Sequence, residues 1–149
     1  MSDIVIVDTN VFVCILDLPG EDASRRDDVL AEFRECIRRR DFLLLPISTI
    51  IETGNWVARC SDGQHRRRFA ELFVREVLRS LRGESPFRAI PLLDVDELLK
   101  WIGEFPEYAM RNLEMADFTL IKEAERQRSF DPNRKVRIWS LDGDLAGYG

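Results

Sequence analysis

Four acidic residues stand beside apolar sequence. Asp8 closes the run Ile4-Val5-Ile6-Val7 and is followed by Thr9-Asn10. Glu52 follows Ser48-Thr49-Ile50-Ile51, Asp117 has Leu113, Leu120 and Ile121 at helical spacings, and Asp142 closes Trp139-Ser140-Leu141. Burying such ions unpaired costs several kcal/mol each. Two carboxylates sharing a pocket about 4 Å apart also repel by roughly 4 kcal/mol at an effective dielectric of about 20. None of these short segments carries a lysine or arginine. The natural counterion is therefore a hard divalent cation with oxygen ligands, Mg2+ or Mn2+. Such an ion lowers the pKa of a bound water, orients it against a phosphodiester and stabilises the charge that develops. Attack by water would leave a 5′-phosphate and a 3′-hydroxyl.

The elements that must carry these acids follow from hydrophobic periodicity. Ile4 to Val7 reads as a buried parallel strand ending on Asp8. Val11 to Leu16 continues apolar until the turn residues Pro19-Gly20-Glu21-Asp22. A helix capped by Ser24 is expected to end on Arg38-Arg39-Arg40, followed by a strand over 42–47. Ser48 or Thr49 is expected to cap the next helix, with Glu52 in its first turn. After His65 another helix runs to about Leu81, with Arg68, Arg75, Arg79 and Arg82 on one stripe and Phe69, Phe73, Val77 and Leu81 towards the packed side. Residues 88–93 read as a short strand, at an edge or end position because of Pro91. Asp94 and Glu97 form a capping box for a helix to about Phe105, closed by Pro106. A long helix over about 107–128 carries Asp117 in its middle, and a last strand runs from Val136 to Asp142.

Alternating strands and helices predict an α/β domain with a central parallel sheet and helices on both faces. Sites in such sheets lie beyond the carboxyl ends of the strands, where Asp8 and Asp142 fall and beside which Glu52 begins. The chain of 149 residues is sized for one domain. With 45% hydrophobic and 33% charged residues it has globular composition. Its net charge of −5, from 27 acids and 22 bases, argues against general adhesion to nucleic acid while leaving room for a local basic face. No apolar run approaches the roughly 20 residues of a membrane helix, and Ser2-Asp3 is unlike a secretory leader, so a cytoplasmic protein is expected. Cys14, Cys36 and Cys60 lack metal or disulfide spacing, and His65 is the sole histidine, which excludes a multi-histidine centre.

Taken in order, Val7-Asp8-Thr9-Asn10, Ser48-Thr49-Ile50-Ile51-Glu52, Ala116-Asp117-Phe118-Thr119-Leu120-Ile121 and Trp139-Ser140-Leu141-Asp142 resemble the PIN domain, the nuclease fold of VapC-like toxins and of RNA-processing factors. The resemblance spans nearly the whole chain. It implies a three-layer α/β/α fold and a Mg2+- or Mn2+-dependent ribonuclease, with Asp8, Glu52, Asp117 and Asp142 as metal ligands. Asn10 and Ser140 would orient Asp8 and Asp142; the family often has threonine where Ser140 stands. Asp144 is an additional acid that would reach the metal through water, and Glu114 is a weaker candidate. The likeness to VapC toxins further implies a homodimer and a protein antitoxin.

Several other readings compete. Asp8 and Asp142 also suit turn or cap roles, Glu52 a dipole partner, and Asp117 a buried acid paired with arginine. The arginine stripe suits an RNA backbone, an acidic antitoxin segment or plain solvation. Trp56, Trp101 and Trp139 suit core or interface positions. At the level of function the alternatives are a catalytically silent PIN-like module that binds RNA or protein, and a housekeeping RNA-processing nuclease. A phosphotransfer domain would need an acid two residues after the first aspartate, where Asn10 stands.

Overall fold

The structure is a computed structural model and describes residues 2–20, 23–90 and 93–148. Four short strands, β1 (Ile4–Val7), β2 (Phe42–Leu45), β3 (Phe87–Ala89) and β4 (Val136–Trp139), build its centre. Among the described residues they form one sheet in the order β3-β2-β1-β4, with every neighbouring pair parallel. The register sets Ile4 beside Phe42 and Val136, and Val7 beside Trp139. Central β1 is buried at all four positions, which accounts for its unbroken β-branched run.

Alternation along β1 sends its side chains to two separate cores. Val5 and Val7 pack with Leu43, Leu45 and Phe87 against α1 (Thr9–Ile15) and α2 (Arg26–Arg39). The edge of the Phe12 ring meets Phe87 at 5.3 Å between centroids. Ile4 and Ile6 pack on the other face with Leu120, Ile121 and Ala124 of α7 (Met115–Phe130) and with Tyr108 of α6 (Phe105–Ala109). Helices on both faces of the sheet make three layers. The predicted α/β/α architecture is thus present.

Several predicted boundaries differ. The apolar stretch after Asp8 is helix α1, whose N-cap is Asp8 itself. A 3-10 turn over Ala23–Arg25 takes up Ser24, and Arg25 stands at the N-cap of α2 without a side-chain capping bond. β2 ends at Leu45 because Pro46, with φ −68°, already serves as N-cap of α3 (Ile47–Ala58). Ser48 and Thr49 therefore lie inside α3, and Glu52 falls in its second turn. Asp62 caps α4 (Gly63–Leu81) by accepting the Gln64 and His65 amides. On that helix Leu81, expected to pack, is 63% exposed.

The predicted strand over 88–93 is seen as β3, on the sheet edge, while Pro91 and Leu92 lie outside the described residues. Asp94 caps α5 (Val95–Ile102) through the Glu97 amide, but this helix stops before Phe105. Pro106 opens α6 instead of closing α5, as suits a residue with no amide proton to leave unpaired. The long helix expected over 107–128 is broken. Asn112 adopts φ 61°, a left-handed conformation that asparagine tolerates, and α7 starts afresh after Glu114. Asp117 is consequently in a first turn, not mid-helix. β4 ends at Trp139, so Ser140 to Asp142 form a loop leading into a 3-10 helix over Gly143–Tyr148.

Candidate functional site

At the carboxyl edge of β1 and β4 lies an open cavity of about 260 Å³. Asp8, Glu52, Asp117 and Asp142 all line it, joined by Asp144 and Glu114. Thr9, Asn10, Asn112 and Ala116 complete the wall, and among the described residues no basic side chain contributes to it.

Asp8 is the most constrained of the acids. Its amide donates to the Trp139 carbonyl at 3.0 Å, continuing the β1–β4 ladder one residue past the strand. One carboxylate oxygen accepts the Thr9 amide at 2.7 Å and the other accepts the Ser140 hydroxyl at 2.6 Å. The same Ser140 oxygen accepts the Asp142 amide at 2.9 Å and lies 3.4 Å from the Asn10 side-chain nitrogen. Asn10 in turn accepts the Leu141 amide at 3.0 Å. A single hydroxyl thus ties the end of β1 to the loop after β4. Asp142 accepts the Asp144 amide at 2.9 Å, so its Asp-Gly turn and its place on the cavity wall coexist.

One threonine anchors the helix that carries Glu52 and a second bonds within it. The Thr49 hydroxyl donates to the Val7 carbonyl at 2.7 Å, and the Thr53 hydroxyl donates to the Thr49 carbonyl at 2.7 Å. Both residues are buried. The Thr49 bond pins α3 to the last residue of β1, one position before Asp8, while the Thr53 bond stays within α3. Sequence reasoning treated Thr49 only as a cap and missed this anchor, whose signal was a hydroxyl one helical turn before another on an apolar face. It also missed Thr9 and Asn112 on the cavity wall.

The electrostatics follow from burial without compensation. Burial pushes the Asp8 carboxyl above its ordinary range; the bonds from Ser140 and Thr9 oppose this, while Asp142 and Glu52 add repulsion. Asp117 is pushed up to about 6, first by burial and then by repulsion from Asp8, Asp142, Glu114 and Asp144. Among the described residues no three Asp, Glu, His or Cys side chains stand close enough together to hold a metal ion as they are placed. The acids line the cavity wall without closing over it. Their chemistry, oxygen donors only with no competing ammonium or guanidinium, fits a hard divalent cation that keeps part of its water shell.

The predicted arginines lie elsewhere. Arg68, Arg75, Arg79 and Arg82 are exposed on or at the end of α4, and none lines the cavity. Arg79 is engaged by Glu76 at 3.0 Å and by the Glu84 carbonyl at 3.0 Å. Trp101 and Trp139 are buried core residues, whereas half-buried Trp56 donates its indole N–H to the Pro19 carbonyl. Among the described residues the three cysteines, Cys14 and Cys36 buried and Cys60 half-buried, form no disulfide. Among the described residues no helix is long and apolar enough to cross a membrane. No family model and no curated protein matches the chain.

Proposed function

We propose that the chain is a metal-dependent endoribonuclease of the PIN type, with Asp8, Glu52, Asp117 and Asp142 holding Mg2+ or Mn2+. The observation that carries this reading is the meeting of acids from four separate segments on one cavity that has no basic side chain among the described residues. A fold gains no stability from that arrangement by itself, since Asp8 and Asp117 are both pushed towards protonation. A bound divalent cation supplies Lewis acidity and positive charge for phosphodiester hydrolysis.

The chain's own residues prepare the site. Ser140 and the Thr9 amide fix the two oxygens of Asp8. Asn10 holds the loop that delivers Asp142, and the Thr49 anchor sets the height of Glu52 along the sheet edge. Asp144 and Glu114, exposed at the cavity mouth, suit contacts through water. The open cavity admits a polymer backbone rather than enclosing a small molecule.

The likeness to VapC toxins extends the reading to the toxin of a toxin–antitoxin pair, acting in the cytoplasm as a homodimer and blocked by a protein antitoxin. Incubation of the protein with structured RNA, with and without Mn2+, tests the enzymatic core beside Asp8→Asn. Metal-dependent cutting by the wild type alone is expected. Normal RNA binding with no cutting in any divalent metal would favour a silent RNA-binding module instead. Growth arrest on expression of the wild type, relieved by Asp8→Asn, separates a toxin from a housekeeping nuclease.

A further inference from the structure

A cavity walled by six acids has to admit a chain that is negative at every phosphate. A metal ion at its centre neutralises the reacting phosphate, and the phosphates on either side still meet an acidic rim. Arg25 stands beside that rim. Its guanidinium donates to the Leu141 carbonyl at 3.4 Å, and Leu141 lies between Ser140, which bonds Asp8, and Asp142 on the wall. Among the described residues no other basic side chain bonds to the loop 140–142. Helix stability does not account for a cation here. Arg25 is the N-cap of α2 and makes no capping bond. A positive side chain there opposes the helix dipole, whose N-terminal end favours acids such as Asp27 and Asp28. The neighbouring Arg26 is engaged by Asp17 at 3.3 Å and by the Cys14 carbonyl at 3.1 Å. Arg25 is exposed and, among the described residues, pairs with no carboxylate. Its bond to Leu141 is at the long limit for a hydrogen bond, so most donors of the planar fork stay open to a ligand.

We propose that Arg25 holds the RNA backbone on the α2 side of the cavity, its fork taking the phosphate next to the one that meets the acids. The ligand in this inference rests on the ribonuclease reading above. The contact gives the strand a direction, from the acids at the ends of β1 and β4 towards the start of α2. The arginines of α4 lie off that path. Arg82, at the C-cap of α4, leads into the start of β3, at the opposite end of the parallel sheet. A residue assigned from charge periodicity alone is thereby replaced by one placed through its contact with the loop that delivers Asp142.

Binding of a short labelled single-stranded RNA of mixed sequence, read by fluorescence anisotropy on the full chain carrying Asp8→Asn, tests the contact apart from turnover. Adding Arg25→Ala should weaken binding about tenfold and lower the slope of log Kd on log salt by about one. Arg25→Lys keeps the charge without the fork and should restore the slope with only part of the affinity. Arg82→Ala removes the same charge at the other end of the sheet and should change neither. In cleavage by the otherwise wild-type chain, Arg25→Ala should raise KM and leave kcat and Mn2+ affinity nearly unchanged. Unchanged binding in Arg25→Ala, an equal loss in Arg82→Ala, or no RNA binding by the parent protein would each overturn the proposal. So would a fall in kcat and Mn2+ affinity at constant KM, which would make Arg25 a tether of the Leu141 loop. RNA bound through Arg25 but cut in no divalent metal would remove the nuclease reading and leave this contact standing. RNA cut while Arg25→Ala binds it normally would do the reverse.

Discussion

Asp8 and Asp41 are both buried carboxylates at ends of neighbouring strands, and the fold treats them in opposite ways. Asp41 precedes β2. Burial alone would raise its pKa, but the Asp3 amide at 2.8 Å and the Arg39 guanidinium at 2.9 Å outweigh it and hold the carboxyl below its ordinary range. Asp8 follows β1, and burial leaves its carboxyl above that range with five other acids on the same wall. The amino end of the sheet pairs its buried acid with a cation, whereas the carboxyl end gathers acids and supplies none. That asymmetry is what supports the proposed divalent-cation site.

The largest expected effect separates the two ends by activity. Asp8→Asn should lower Mn2+-dependent RNA cleavage by about 100-fold or more, as loss of a directly acting group does. Asp41→Asn should leave kcat/KM nearly unchanged while costing about 1–2 kcal/mol of stability in urea unfolding, through its weakened charge-assisted bonds. Comparable activity losses from both would erase the distinction.

The second effect is of opposite sign at the two ends. The folded Asp117 carboxyl titrates at about 6 against an ordinary value of 3.8, so the folded state binds more protons. Its contribution to stability is complete below the unfolded value and falls as pH rises through about 6. Without divalent metal, the urea midpoint should therefore decline over that window, Asp117→Asn should flatten the decline, and Mn2+ should raise the midpoint most above pH 6. Asp41, held low, contributes stability above about pH 4 that disappears as pH falls further. A metal effect equal at pH 4 and pH 7 would break the comparison.

Smaller losses should follow from the supporting shell. Ser140→Ala removes the hydroxyl that donates to Asp8 and accepts from Asp142. Mn2+ affinity measured by calorimetry should fall about tenfold. Asp144→Asn, exposed at the rim, should change cleavage by less than about threefold.

How much of this was legible in the sequence depended on the kind of signal. Asp8 was fully legible because an unbroken β-branched run fixes both the strand and its end. The three-layer order followed from the same periodicity. Glu52 and Asp117 were assigned to the right helices but to the wrong turns. Pro46 starts α3 before the first hydroxyl that looked like a cap. The break at Asn112 carries no glycine or proline, and Ala109 keeps helical spacing with Leu113 across it. The exposure of Leu81 was not legible either, since periodicity identifies an apolar stripe without naming what covers it. What the sequence lacked in each case was tertiary information, namely which elements meet.

The central claim concerns what the carboxyl end of the sheet holds. Crystals of the protein soaked in MnCl2 and measured at the manganese absorption edge test it most directly. The account predicts an anomalous peak inside the cavity with carboxylate oxygens of Asp8 and of Asp117 or Asp142 at about 2.0–2.2 Å. A cavity that stays free of anomalous density, or a peak bound only at other acids, would contradict it.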